Sequence, residues 1–511
     1  MTIRNRYLTS TLGGLATGSI ITILTPGGSY LTGLLACSLL MGASLFFLLT
    51  AWKWAGGGKL LAVIVFTAFF LRLAFGIGAS LGLMAYGYQD NPMNRAGYLY
   101  LDAYRRDDSA WTLATSGETF FNAIQQGLKN DQYGGLLLLS AAVYRILSPD
   151  LHRPFLILIL AAFTASLGVL FFWKGVRARW NSSLANLAAW ILVFYPDAVL
   201  LNGAQLREPF LIGLTCIAFW GMLTFQENRR RSLIAFVASL AVMSMISALV
   251  GLAVFVVLIV WFWLENSREF DPRWRRLGWI GLGLAAVAGV ILFWQWFMEA
   301  YQWDLVTSMR ISGWVKKIIE EAGEQWRFPI IVIYGVTQVV LPAAIAEPAI
   351  PIWRGIAIWR AVGWYALVPF LIYGAAAAWK TPRGRERRVL MWLAGIVLAW
   401  IVISSARAGG DQWDNPRYRT IFIPWMALLA AWAWQWVRQH RDPWLPRLLL
   451  VETIFLGFFT NWYVSRYYQI THRMPFWRTV AWIVGLGALV FGIGWLWDHR
   501  YRVSAAVKRK R

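Results

Sequence analysis

The stretch from Tyr86 to Tyr133 reads YGYQDNPMNRAGYLYLDAYRRDDSAWTLATSGETFFNAIQQGLKNDQY. Long apolar segments flank it on both sides. It carries Asp90, Asp102, Asp107, Asp108, Glu118 and Asp131, a large share of the acids in a chain with only 25. A polar, aromatic-rich interval in such a setting reads as a large loop outside a membrane, and it fixes how the rest of the chain is divided.

The whole chain agrees. It is 59% hydrophobic and 14% charged over 511 residues, the composition of a polytopic membrane protein. Its 33 Trp and 19 Tyr suit many membrane–water interfaces, where amphipathic rings settle. The net charge of +23 does not point to nucleic acid, because Lys and Arg cluster in short turns between apolar runs, as positive-inside sorting produces. Cys37 and Cys216 both lie in apolar runs, which argues against a disulfide framework or a cysteine metal site. The basic start MTIRNRY leads into a first span rather than a cleavable signal.

A span needs roughly 20 apolar residues. Spans are predicted at 8–25, 31–51, 59–83, 154–174, 183–201, 208–225, 232–247, 249–264, 277–297, 361–379, 388–405, 419–437, 445–464 and 477–497, about fourteen in all. With Arg4 and Arg6 placed in the cytoplasm, alternation puts Lys53–Lys59, Lys174–Arg179, Arg229–Arg231, Arg268–Arg276, Lys380–Arg388, Arg438–Arg447 and the tail Lys508–Arg511 on that same side. The expectation is an all-α polytopic protein of the cell membrane with both termini cytoplasmic and two large outer loops carrying short helices. Its parts are N-terminal spans (1–83), a first outer loop (84–153), a middle set of spans (154–297), a second outer loop (298–360), and C-terminal spans with a basic tail (361–511). In the first loop Gly134–Leu147 is too short to span and reads as a helix on or dipping into the outer surface. In the second, Pro329–Ala346 is interrupted by Pro342 and closed by Pro348 and Pro351. It reads as a re-entrant, cavity-lining segment.

Three polar clusters could carry chemistry. In Asp102–Trp111 (DAYRRDDSAW), a carboxylate beside low-dielectric surroundings gains basicity and can take a proton from a hydroxyl. The plainer reading has Asp107 or Asp108 capping a helix that starts near Ser109, with Arg105 or Arg106 neutralising another Asp. Thr115-Ser-Gly-Glu118 has capping-box spacing for a second helix through Lys129. The second cluster runs from Tyr195-Pro-Asp197 to Arg207-Glu208-Pro209, at the mouth of two consecutive spans. Ionisable residues there tend to face a cavity, although an Arg207–Glu208 pair could simply anchor the helix end. The third is Arg407, Asp411, Asp414, Arg417, Tyr418 and Arg419, in which an arginine fork suits phosphate. Its plainer reading is a solvated outer loop. Arg310, Lys316, Lys317 and Arg327 are further phosphate candidates, with Lys316 and Lys317 reading better as the solvated face of an amphipathic helix beside Glu320 and Glu321. His152, His440, His472 and His499 lack metal-ligand spacing and read as interfacial. No Walker-type glycine loop and no soluble nucleotide-sugar domain is evident, so a sugar donor would arrive on a lipid carrier.

Over about residues 59–437 the layout resembles the GT-C glycosyltransferases, such as the protein O-mannosyltransferases, the lipid A aminoarabinose transferases and the bacterial RgtA/B/C/D-like group. Asp108-Ser-Ala-Trp111-Thr-Leu-Ala114 is similar to the family's Asp followed by an aromatic and small residues on a helix. Pro196–Glu208 is similar to its second acidic position. Asn415-Pro-Arg-Tyr418 leading to Ile423-Pro424 is similar to its Arg-Tyr-then-Pro entry to a late helix. Two features depart from the family plan. Two spans, where the family usually has one, precede the span leading into the loop, and no strict acidic diad singles out the base.

The resemblance implies inverting transfer of a hexose from a polyprenyl-phosphate donor to a hydroxyl on a glycan, lipid or protein acceptor at the outer face, in envelope polysaccharide biosynthesis. Asp108, Asp102, Asp107 and Glu208 are the candidates for catalysis, and Arg207, Arg407, Arg417, Arg419 and Tyr418 for the donor phosphate. No metal ligand set is assigned. A divalent metal bridging Asp and phosphate would fit the chemistry but not the ligand spacing. The alternatives are a polysaccharide polymerase or ligase, and a transporter or flippase of lipid-linked sugars.

Overall fold

The computed structural model describes residues 2–120, 134–284, 287, 291 and 313–509. Among these the chain is helical, with no strand. Among the described residues eight helices are long and apolar enough to cross a membrane, or ten if each of two bent pairs is one span. This is a polytopic all-α membrane protein with fewer qualifying spans than the expected fourteen. The Glu208–Leu223 helix is short at 16 residues. Ile3–Ile23 is diluted by Gly, Ser and Thr, and Arg229–Ile246 opens on three arginines. The run 277–297 continues past the described residues.

The deeply buried Phe155–Arg179 helix is central. Lys59–Tyr86, Ser182–Phe194 and Glu208–Leu223 pack on it. Small residues permit the closest approach: a Cβ on Gly168 would fall 2.5 Å from the Cα of Gly213. Cys37 and Cys216 are buried and free.

Two spans break at the face where the polar clusters gather. Ser182–Phe194 gives way to Pro196–Gly203 with a 49° bend, and Asp414–Thr420 to Ile423–His440 with a 71° bend. The first break follows from Pro196, which has no N–H to give the carbonyl of Leu192. In a membrane that carbonyl needs another donor. Arg72, fully buried in the Lys59–Tyr86 helix, supplies it: Nη2 donates to Leu192 O at 2.9 Å.

In the first loop the main helix is Leu101–Thr115, not a helix beginning at Ser109. Asp107 and Asp108 are therefore mid-helix, and Asp102 is the acid in the first turn, where the helix dipole favours it. The buried face is Ala103, Arg106, Asp107, Ala110 and Leu113. Two charged residues on that face conceal its period in the sequence. The proposed helix through Lys129 lies outside the described residues after Phe120, as do Arg310 and Asp131. Gly135–Leu147 forms the short helix expected of it.

In the second loop Gly313–Ala322 is helical, and Lys317 pairs with Glu321 at 3.8 Å on an exposed face. The Pro-interrupted run forms two helices, Arg327–Val336 and Leu341–Ala346. The carbonyls released at the break are taken by other helices. Asn415 donates to Gly335 O at 2.8 Å, Trp364 to Val336 O at 2.9 Å, Tyr365 to Thr337 O at 3.2 Å and Arg419 to Gln338 O at 2.6 Å.

Arg72→Met would leave the Leu192 carbonyl buried without a donor, at about 1–3 kcal/mol. A lowered thermal unfolding midpoint in detergent is expected for this variant, with Arg72→Lys in between. An unchanged midpoint for Arg72→Met would contradict the assignment.

Candidate active site

The short Asp414–Thr420 helix has two working faces. Residues four apart share a face, so Asn415 and Arg419 together hold the broken second-loop segment. Arg417 projects the opposite way. Its guanidinium is buried, and Nε donates to Glu208 Oε1 at 2.6 Å while Nη1 donates to Asp102 Oδ2 at 2.9 Å. Asp414 Oδ1 lies 3.5 Å from the same Nη1, and Arg207 Nε stands 3.7 Å from Glu208 Oε1. Three segments remote in sequence thus meet at one cation.

The two acids differ in surroundings. Glu208 is fully buried at the start of its helix, where the dipole supports its charge, and its Oε2 has no partner among the described residues. Asp102 offers its side chain to the surface, 65% exposed, with one oxygen held by Arg417. Partial burial pushes the Asp102 carboxyl up, but the Arg417 hydrogen bond and charge, with Arg207 and Arg106 behind it, outweigh that and hold it below its ordinary value of 3.8. Tyr100, Trp413 and Trp353 form an aromatic wall beside the cluster, with Tyr100 against Trp413 edge to face at 5.6 Å.

Two further networks fix the frame. Asp197 and Arg360, both buried, pair across the Pro196–Gly203 and Pro351–Lys380 helices, and Arg360 lies over Trp413 at 4.7 Å. Arg106 donates to the carbonyl of Gln205, a residue at φ 54° in the turn before Glu208. This ties the Asp102 helix directly to the Glu208 turn.

Asp107 belongs to a separate site. Its Oδ2 accepts from Tyr98 Oη at 2.5 Å and contacts His152 Nε2 at 2.9 Å, and its Oδ1 accepts from Tyr144 Oη at 2.6 Å. His152 stacks on Trp111 at 5.2 Å, so it is an acid partner rather than a simple interfacial ring. Burial pushes the Asp107 carboxyl up. His152, Tyr144 and Tyr98 together more than reverse this and hold it below 3.8. Asp108, one residue on, is exposed, and among the described residues its carboxylate has no partner.

The structure thus gathers Asp102, Glu208, Arg207 and Arg417. Tyr418 is on the edge of the cluster, within reach of the charges of Arg417, Asp414, Arg207 and Arg407. Arg419 is elsewhere: it is fully buried, bonded to the second-loop carbonyls and stacked 3.3 Å over Trp364. A guanidinium so committed to backbone is not presented to a phosphate. Arg360 and His152 carry roles that the sequence reading did not assign. A carboxylate at a proline break (Asp197) calls for a cation, but nothing in the chain says which one answers it. Among the described residues no group of three or more His, Cys, Asp or Glu could hold a metal ion. The acids of the cluster instead turn to Arg417.

No family model matches the chain, and no curated protein matches it. Among solved structures it is similar to an archaeal oligosaccharyltransferase, AglB from Archaeoglobus fulgidus, determined in complex with an inhibitory peptide and a dolichol-phosphate. The identity is 11% and the TM-score 0.38, over 84% of this chain and 54% of that one. The chain spans about half the length of that protein.

The neighbours Asp107 and Asp108 should separate in a stability measurement. Hydrogen bonds to a charged group are worth about 1.5–3 kcal/mol each, so Asp107→Ala is expected to lose at least about 3 kcal/mol. Asp108→Ala is expected to stay within about 0.5 kcal/mol. The Asp107 contribution is complete above the ordinary carboxylate range and disappears as pH falls through its lowered value. Equal losses for the two variants would refute the assignment.

Proposed function

We propose that this chain is a membrane glycosyltransferase of the GT-C kind, moving a sugar from a polyprenyl-phosphate donor to an acceptor hydroxyl at the outer face. The observation that carries the reading is the joining of Asp102 and Glu208 by Arg417, at the mouth of the spans where the resemblance puts its acidic positions. A charge pair alone would anchor a helix. Here one acid is buried and fixed, and the other is held by a single oxygen and open to an incoming hydroxyl.

The acceptor oxygen attacks the anomeric carbon in line, and its proton passes to the free oxygen of Asp102. The bond from that carbon to the phosphate oxygen breaks, and polyprenyl phosphate departs with the electron pair. Arg207, Arg407 and Tyr418 receive its charge; preplaced cations in a water-poor site need no reorganisation to do so. Phosphate leaves readily without a general acid. Arg417 positions Asp102 against Glu208 and keeps it ionised, and inversion follows from the single displacement. Between Arg327–Val336 and Arg385–Ala408 runs a wholly apolar groove of about 480 Å³, lined by Pro329, Ile333, Val402 and Ala406 among others. Its lining reaches Ala406, the residue before Arg407 in the chain, which suits a prenyl chain with its phosphate toward the polar cluster.

The test is release of free polyprenyl phosphate from polyprenyl-phosphate hexoses by the purified protein. Asp102→Asn is expected to lose about 10²–10⁴-fold in turnover, the range for a positioned general base, while still unfolding cooperatively above the assay temperature. Because the Asp102 carboxyl titrates below its ordinary value, the rate it controls should be level from about pH 5 upward and fall only on the acid side. Wild-type turnover by Asp102→Asn would remove it as the base. Donor binding without transfer, indifferent to Asp102, would favour a transporter of lipid-linked sugars.

A further inference from the structure

The Arg385–Ala408 helix has Arg407 beside the Arg417 cluster at one end. Its other end, Arg385, lies 22 residues away, about 33 Å at 1.5 Å per residue. There Arg388 meets Arg385 and Arg268, whose like charges act on it. Arg388 Nε and Nη2 are shielded from solvent and have no hydrogen-bond partner among the described residues. Trp392, one turn on, donates to Val257 O at 3.2 Å, so this face packs on the Ala248–Asn266 helix and Arg388 sits by that helix's end. The acids nearby are already engaged. Glu265 bonds Arg179 through Oε1 and stands 4.0 Å from Arg385, and Glu269 accepts from Gln226 at 3.2 Å. Glu386 is two residues before Arg388, on the opposite side of the helix.

Three guanidinium groups with one acid in ion-pair reach, Glu265, itself shared with Arg179, repel one another. They also stand at a helix N-terminus, the positive end of the dipole, which has no side-chain cap. An oxyanion would relieve both defects. It would accept from the buried Arg388 donors, neutralise Arg268 and Arg385, and face the open first N–H groups of the helix. We propose that Arg268, Arg385 and Arg388 form a phosphate-binding site on the membrane face opposite the candidate active site. Its ligand is a phosphate oxyanion, either a lipid headgroup or free phosphate.

The site is tested on the purified full chain in phosphate-free buffer by following its thermal unfolding midpoint. One arm titrates inorganic phosphate. The other uses micelles of an uncharged maltoside detergent with increasing phosphatidic acid. Arg388→Gln and the exposed Arg268→Gln are expected to weaken the stabilising response at least about tenfold in apparent affinity, since each removes a charge-assisted contact. Arg230→Gln, an equal charge change in another basic turn, should leave it intact. A response to inorganic phosphate identifies a soluble ligand, and a response to phosphatidic acid alone identifies a lipid headgroup. No response in either arm, or equal weakening by Arg230→Gln, would overturn the proposal.

Discussion

A guanidinium cannot shed its charge on burial, and Arg417 is buried. It has to be answered by acids, and those available lie 315 and 209 residues away in sequence, at Asp102 and Glu208. This one requirement draws the first loop, the mouth of the middle spans and the late broken span to a single point. The arrangement is asymmetric in a way suited to chemistry. Glu208 is buried at a helix start and bonded to Arg417, while Asp102 shares one oxygen and leaves its side chain open.

The other buried arginines divide by what they answer. Arg360 neutralises Asp197 and Arg153 neutralises Asp150. Arg72, Arg106 and Arg419 answer backbone instead, donating to carbonyls at Leu192, Gln205 and Gln338 where helices are broken. Irregular backbone at membrane depth persists only when protein satisfies it, and in this chain arginine is a principal means of doing so. The breaks in turn let short helices aim side chains at one face. The Asp414–Thr420 helix shows the coupling most clearly: Asn415 and Arg419 hold the second-loop segment while Arg417, between them in sequence, holds the acids.

The membrane class, the three polar stretches and the residues Asp102, Glu208, Arg207 and Arg417 were legible in the sequence, because composition and the clustering of charge are local properties. The choice among the aspartates was not. Asp107 and Asp108 are neighbours of one type, and only the helix phase sends one into Tyr98, Tyr144 and His152 and the other to the surface. That phase was hidden because the buried face of Leu101–Thr115 includes Arg106 and Asp107, so its apolar period looks broken. Arg419 read as a phosphate ligand beside Arg417. Two residues along a helix is a turn of about 200°, and this directs it to backbone carbonyls. The expected span count exceeded the helices that qualify because it took in runs that are short (Glu208–Leu223), diluted by Gly, Ser and Thr (Ile3–Ile23) or opened by arginines (Arg229–Ile246), and one, 277–297, that continues past the described residues.

The account centres on a reaction site at Asp102, Glu208 and Arg417, with the donor phosphate on its rim. The most direct measurement is a cryo-EM structure of the chain with bound polyprenyl phosphate. The account predicts phosphate density among Arg207, Arg407 and Tyr418, beside the open oxygen of Asp102, with the Arg417 pairs intact. Phosphate density remote from Asp102, or Arg417 separated from both acids, would contradict it.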